Sequence, residues 1–165
     1  MIIANSTPLI NFSSIGRLDI LEQLFGKIYI PLAVEKELLI KGSRYQGATS
    51  IKEAKFIQTV KITNITLCNA LKIDLDDGEA EAITLTLELN GKLLLIDELK
   101  ARMVAESLNI PFTGSIGCLV EAKKCLVIPA IKPILDDMQS KAHFWINSKL
   151  YSKILKDNDE LIDEE

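Results

Sequence analysis

Three short apolar runs constrain this chain more than anything else in it: IIAN at residues 2–5, KIYI at 27–30 and KLLLID at 92–97. Each is nearly continuous in Ile and Leu, the pattern of strands buried on both faces. Between them lie longer stretches whose apolar residues recur at helical spacing. Short buried strands alternating with amphipathic helices predict an α/β fold, with a central parallel sheet covered by helices on both sides. The spacing predicts helices from about Thr7 to Gly16, over RLDILEQLF, over PLAVEKELLI with Pro31 at its start, and near Ala48–Lys55. KGSRYQG, residues 41–47, reads as a loop and VKIT as a further β segment. DDGEAEAITLTLELNG and ELKARMVAESLN read as helices, and IPFTG as a short strand and turn. SIGCLVEAKKC and PAIKPILDDMQ read as helical, HFWIN as short and extended, and NSKLYSKILKD closes the fold.

The length of 165 residues suits one domain, expected over residues 1–156. No apolar run reaches the roughly 20 residues that span a bilayer, so no membrane association is expected. The start lacks a basic stretch followed by a long apolar one, so a cytoplasmic protein is expected rather than a secreted one. Cys68, Cys118 and Cys125 fit neither a disulfide framework nor a zinc site, and are expected to be buried and reduced. Six of the 23 acids fall in the last nine residues, DNDELIDEE, an acidic tail (157–165) expected to fray. The remaining body is close to neutral, with no strongly basic face for nucleic acid.

In parallel α/β sheets the site lies outside the carboxyl ends of the strands. Asn5 ends the first run, Asp97 ends KLLLID, and Thr113 follows IPF. On a helical wheel Glu79 falls within the arc of Ile83, Ala82 and Leu87, whereas Glu81, Thr84 and Glu88 gather on the side expected to face water. An inward carboxylate needs a partner. With Asp76 as N-cap, Glu79 suits the third position of a capping box; a metal ligand is the other account. Glu37 reads as a half-exposed helix acid. Asp97 suits an N-cap for ELKARM, which would still leave it at the site edge. Three acids and one amide gathered from strand ends and helix first turns point to an oxygen-liganded Mg²⁺ or Mn²⁺. His143, the only histidine, and Trp145 read as packing residues. No glycine-rich phosphate loop is present.

The ordered segments ANSTPLI, IPLAVEKEL, LDDGEAEAITLTLEL, LLLIDELKAR and FTGSIGCL resemble the PIN-domain nucleases, most closely the PIN-like proteins related to VapC-type toxins. The resemblance covers roughly residues 1–155. It implies a three-layer α/β/α PIN-like fold and Mg²⁺- or Mn²⁺-dependent cleavage of RNA by an acidic cluster. It carries the family's four site positions onto Asn5, Glu37, Glu79 and Asp97, and the assisting hydroxyl onto Thr7. Glu98 is a neighbouring acid that either holds a second metal or starts a helix. Arg102, four residues on, either pairs with Glu98 or contacts phosphate. The resemblance also implies a small cognate antitoxin protein and a homodimer as partners.

Asn5 departs from the family pattern, which has aspartate there. The amide keeps the shape and one carbonyl oxygen but loses a full negative charge. Two functions are therefore expected: a toxin-type endoribonuclease with weakened metal binding, or an inactive PIN domain that grips RNA or protein.

Overall fold

The computed structural model describes residues 1–41 and 47–160. Five strands form one all-parallel sheet in the order β3-β2-β1-β4-β5: β1 Ile2–Ala4, β2 Ile28–Pro31, β3 Ile57–Val60, β4 Leu93–Leu95 and β5 Phe112–Thr113. β1 is central, pairing Ile2 with Ile28 on one side and with Leu93 on the other. The strand order reverses direction there, so the β1–β4 crevice is the topological switch point at which such sheets place their sites.

Alternate strand residues feed two cores. Ala4, Ile28, Ile30 and Leu95 face one, with α1 (Ser6–Ser14), α2 (Leu18–Phe25), α8 (Ser115–Lys124), α9 (Lys132–Lys141) and α10 (Ser148–Asp157). Ile3, Leu94 and Ile96 face the other, with α5 (Ile65–Leu71), α6 (Asp77–Glu88) and α7 (Leu99–Ser107). Val34 and Leu38 of α3 (Leu32–Lys41) and Ile51 of α4 (Ala48–Glu53) join the first core. The result is the expected three-layer α/β/α arrangement. Among the described residues no helix is long and apolar enough to cross a membrane.

Several local expectations change. Pro31 ends β2 rather than opening α3. The third strand is IQTV rather than VKIT, and α5 follows it where no helix was expected. Because α5 packs on α6, the side of α6 expected to face water is covered: Thr84 is fully buried and gives its hydroxyl to the Ala80 carbonyl at 2.8 Å. Glu81 is half-buried and accepts the Ala33 backbone N–H at 2.9 Å, so it serves the first turn of α3. Trp145 is 79% exposed and His143 is exposed at positive φ, so neither packs in a core. Cys68 and Cys118 are buried free thiols, and Cys125 is exposed. Of the 41–47 loop, residues 42–46 lie outside the described residues, as do residues 161–165 of the tail.

The start of that tail is docked rather than frayed. Glu160 accepts from the backbone N–H groups of Ile131 (2.6 Å) and Lys132 (2.7 Å) and from Lys123 Nζ (2.8 Å). It is thus a charged cap on the first turn of α9. Burial pushes its carboxyl upward, but these donors outweigh burial and hold it below the ordinary glutamate value of about 4.5. A depressed folded pKa stabilises the fold above the unfolded value, and that stabilisation disappears as pH falls through the folded value. Glu160→Gln is expected to cost about 2 kcal/mol at pH 7. Urea denaturation should show the gap between native and variant closing well below pH 4.5.

Candidate functional site

At the carboxyl edge of the sheet α1 begins at Ser6, α3 at Leu32, α7 at Leu99 and α8 at Ser115, each just after a strand, and α6 begins at Asp77. Their first turns carry unpaired N–H groups and the positive ends of the helix dipoles, which favour acids. The candidate residues lie among these ends.

Asn5 follows β1, is 2% exposed, and ties its backbone N–H to the Leu95 carbonyl at 2.9 Å. Its Nδ2 donates to Glu98 Oε2 at 3.2 Å, and its Oδ1 is buried without a partner among the described residues. The hydroxyl of Thr7 donates to Glu98 Oε1. Ser6 Oγ donates to Glu37 Oε2 at 2.6 Å. Three consecutive residues at the mouth of β1 thus give donors to acids from two other elements. Close approach of α6 adds to this: a Cβ on Gly78 would lie 2.9 Å from the Glu37 Cδ, so the carboxyl occupies the space that only glycine leaves.

Glu79 is 8% exposed and forms the expected capping box: its N–H donates to Asp76 Oδ1 at 2.8 Å, and its Oε2 accepts the Asp76 N–H at 3.1 Å. Burial pushes its carboxyl above the usual range. The Asp76 N–H opposes that, and the charges of Asp76, Glu98 and Glu37 reinforce it. Glu79 therefore feels both Glu98 and Glu37 as neighbouring negative charges.

Asp97 has a different setting. Its Oδ1 accepts from the Ser115 N–H (2.8 Å) and Arg102 (3.3 Å), its Oδ2 from Ser115 Oγ (2.6 Å) and Asn11 Nδ2 (3.2 Å). Four donors fill the acceptor capacity of a carboxylate. Asp97 thereby ties the end of β4 to α1, α7 and α8. Burial pushes its carboxyl up, against the two Ser115 donors and Arg102. Gly114 permits the approach, since a Cβ there would lie 2.5 Å from Asp97 Oδ1.

The N-cap of α7 is Glu98 rather than Asp97, and the Glu98 side chain makes no capping bond; it turns to Asn5 and Thr7. Arg102 does not turn to Glu98 either. Its Nε donates to the Ile96 carbonyl at 2.9 Å, its guanidinium reaches Asp97, and it lies 6.0 Å from the Phe112 ring centroid. Thr113 is half-buried in β5, with its hydroxyl in the space a Gly117 side chain would need; no hydrogen bond carries it to the acids. The structure therefore joins Asn5, Thr7 and Glu98 directly, brings Glu37 to the neighbouring Ser6, and sets Glu79 within their field. Asp97, bonded to Ser115, Asn11 and Arg102, also lies within reach of the Glu98 charge. A separate depression of about 190 Å³ between α3, α4 and β3, lined by Ile30, Glu35, Leu38 and Ile51, does not include these acids.

Ser6, Asn11 and Ser115 were not singled out by sequence. Asn11 carried a signal, an amide within the apolar run of α1; it is 4% exposed. Ser6 and Ser115 look like ordinary first-turn residues.

Could this edge hold a divalent ion? The donor chemistry fits. The side chains are oxygen ligands, one buried amide oxygen lacks a partner, and like charges surround Glu79 with raised pKa, all of which a hard cation would relieve. Among the described residues no three Asp, Glu, His or Cys side chains stand together so as to hold a metal ion, and binding one here would require these side chains to move.

No curated protein matches the chain. A family model described as a PIN domain matches residues 1–160, the whole of the sheet and the edge on which these acids gather. The parallel sheet, the acid-bearing switch point and that match agree, and this chain belongs to the PIN-domain family.

Proposed function

We propose that this PIN domain is a Mg²⁺- or Mn²⁺-dependent endoribonuclease of toxin type. PIN domains are generally nucleases that act on RNA with such ions, and the unpartnered buried oxygen of Asn5, beside Glu98 and its neighbours, supports that reading most strongly. Asn5, Glu37, Glu79 and Glu98 are the residues that would hold the ion. A bound divalent ion would supply an activated water and neutralise charge on the phosphodiester. The chain's own contribution is positioning. Asn5 and Thr7 orient Glu98, Ser6 orients Glu37, and the capping box fixes Glu79 on the first turn of α6. Asp97 fixes the ends of β4, α7 and α8 through its four donors. A small antitoxin segment laid over this acidic edge is the partner we propose. Leu99 and Met103, 73% and 61% exposed on α7 just after Glu98, offer it apolar contact.

A second reading is favoured by Asn5 itself, which removes one negative charge from the centre: an RNA- or protein-binding PIN domain without chemistry. One experiment separates the two. Purified protein is incubated with a mixed-sequence RNA in Mn²⁺, in Mg²⁺ and in EDTA. Cleavage in either metal and none in EDTA is the expected result. Gel-shifted but intact RNA in every condition assigns the binding role instead.

A further inference from the structure

We propose that Asn5 does inside this protein what a cation would otherwise do for Glu98: its amide is an internal counter-group that keeps the acidic edge assembled whether or not metal is bound. Asn5 is positioned for this by its backbone. It follows the central strand, its N–H is fastened to Leu95 at 2.9 Å, and it is 2% exposed. Its backbone cannot shift away from Glu98 without unpairing the sheet. Its Nδ2 meets Glu98 Oε2 at 3.2 Å, and Thr7 serves the other Glu98 oxygen. The amide orientation follows from chemistry, since the reverse would set two oxygens against each other with no proton between them.

An aspartate at this position has no hydrogen to give. It would place a second carboxylate against Glu98 in a poorly solvated spot, an arrangement that a positive ion or a proton must reconcile. Asparagine removes that requirement and leaves its own buried Oδ1, a neutral oxygen, without a partner among the described residues. The consequence is an acidic edge whose Asn5–Glu98 contact holds without metal, and weak binding when metal comes. The part concerning metal rests on the nuclease reading; the part concerning Glu98 does not.

The test compares the native protein, Asn5→Asp, and the double variant Asn5→Asp with Glu98→Gln, by calorimetry in EDTA and in Mn²⁺. In EDTA, Asn5→Asp is expected to melt roughly 4 °C lower than native. Mn²⁺ should raise its Tm by at least that amount, while raising the native Tm less. The double variant exchanges donor and acceptor between positions 5 and 98, and should regain the native Tm in EDTA. Asn5→Asp should also bind Mn²⁺ about tenfold more tightly by titration calorimetry. If Asn5→Asp is as stable as native in EDTA, or if the double variant melts no higher than the single one, the proposal is overturned. A native protein that binds no Mn²⁺ and cuts no RNA removes the nuclease reading, while the EDTA comparison still decides the role of Asn5.

Discussion

Asp97→Ala is expected to lower stability by about 3 kcal/mol, the cost of deleting the shared acceptor of several part-buried hydrogen bonds. The side chain of Asp97 is 13% exposed, and Ala would remove the acceptor of the Ser115 N–H, the Ser115 hydroxyl and an Arg102 guanidinium nitrogen together, leaving Asn11 Nδ2 only its 3.0 Å bond to Ser115 Oγ. Such orphaned buried donors are each expensive. At about 2–4 °C per kcal/mol for a chain of this size, Tm should fall by roughly 10 °C. Asp97→Asn keeps the shape and one acceptor oxygen, so it should fall between. Arg102→Ala removes one donor of the four and should cost least. This ranking, read by calorimetry, distinguishes a clasp from a metal ligand. A ligand would give a stable apoprotein with lost activity, and an Asp97→Ala protein melting with the native one would show the clasp to be wrong.

The largest expected effect on activity is at Glu79. Glutamine is accepted at the third position of a capping box, because its amide oxygen still receives the N-cap N–H. Glu79→Gln should therefore keep the Asp76 bonds and melt within a few degrees of native, while removing a buried carboxylate that lies in the field of Glu98 and Glu37. Loss of an outer-sphere partner already reduces metal affinity or activity by about 10–100-fold, so a residue that faces the ion should cost at least about 100-fold in Mn²⁺-dependent RNA cleavage. The capping box and the metal role make opposite statements about this variant. If Glu79→Gln cuts RNA at the native rate, Glu79 is a cap and nothing more.

What could be read from residues alone follows from burial. β1, β2 and β4 are buried on both faces, so their Ile and Leu runs are unmistakable. β3 is an edge strand with Gln58 and Thr59 exposed, and such a strand shows no such run; the more regular β-branched VKIT just after it was the better match to the pattern. α5 has seven residues and too little periodicity to register, and missing it made the outer side of α6 look like solvent. At the site, strand ends single out Asn5 and Asp97 and a helical wheel singles out Glu79, whereas Glu37 reads as a half-exposed helix acid on its own helix and enters only through the family resemblance. Asp97 and Glu98 were not separable. Adjacent residues at a strand end point to different sides, so a one-residue difference decides which of them faces Asn5 and which faces Ser115.

The sheet order has a consequence for synthesis. β1 occupies the middle of the sheet, yet its neighbour β4 lies some ninety residues further along the chain, at Leu93–Leu95. As the nascent polypeptide leaves the ribosome, the central strand therefore waits with one edge open, and only β2 arrives early to cover the other. Non-local parallel pairing is slow, and an uncovered apolar strand is a template for wrong partners. Lower temperature during expression, which slows wrong pairing of the open edge, should accordingly raise the yield of correctly assembled protein.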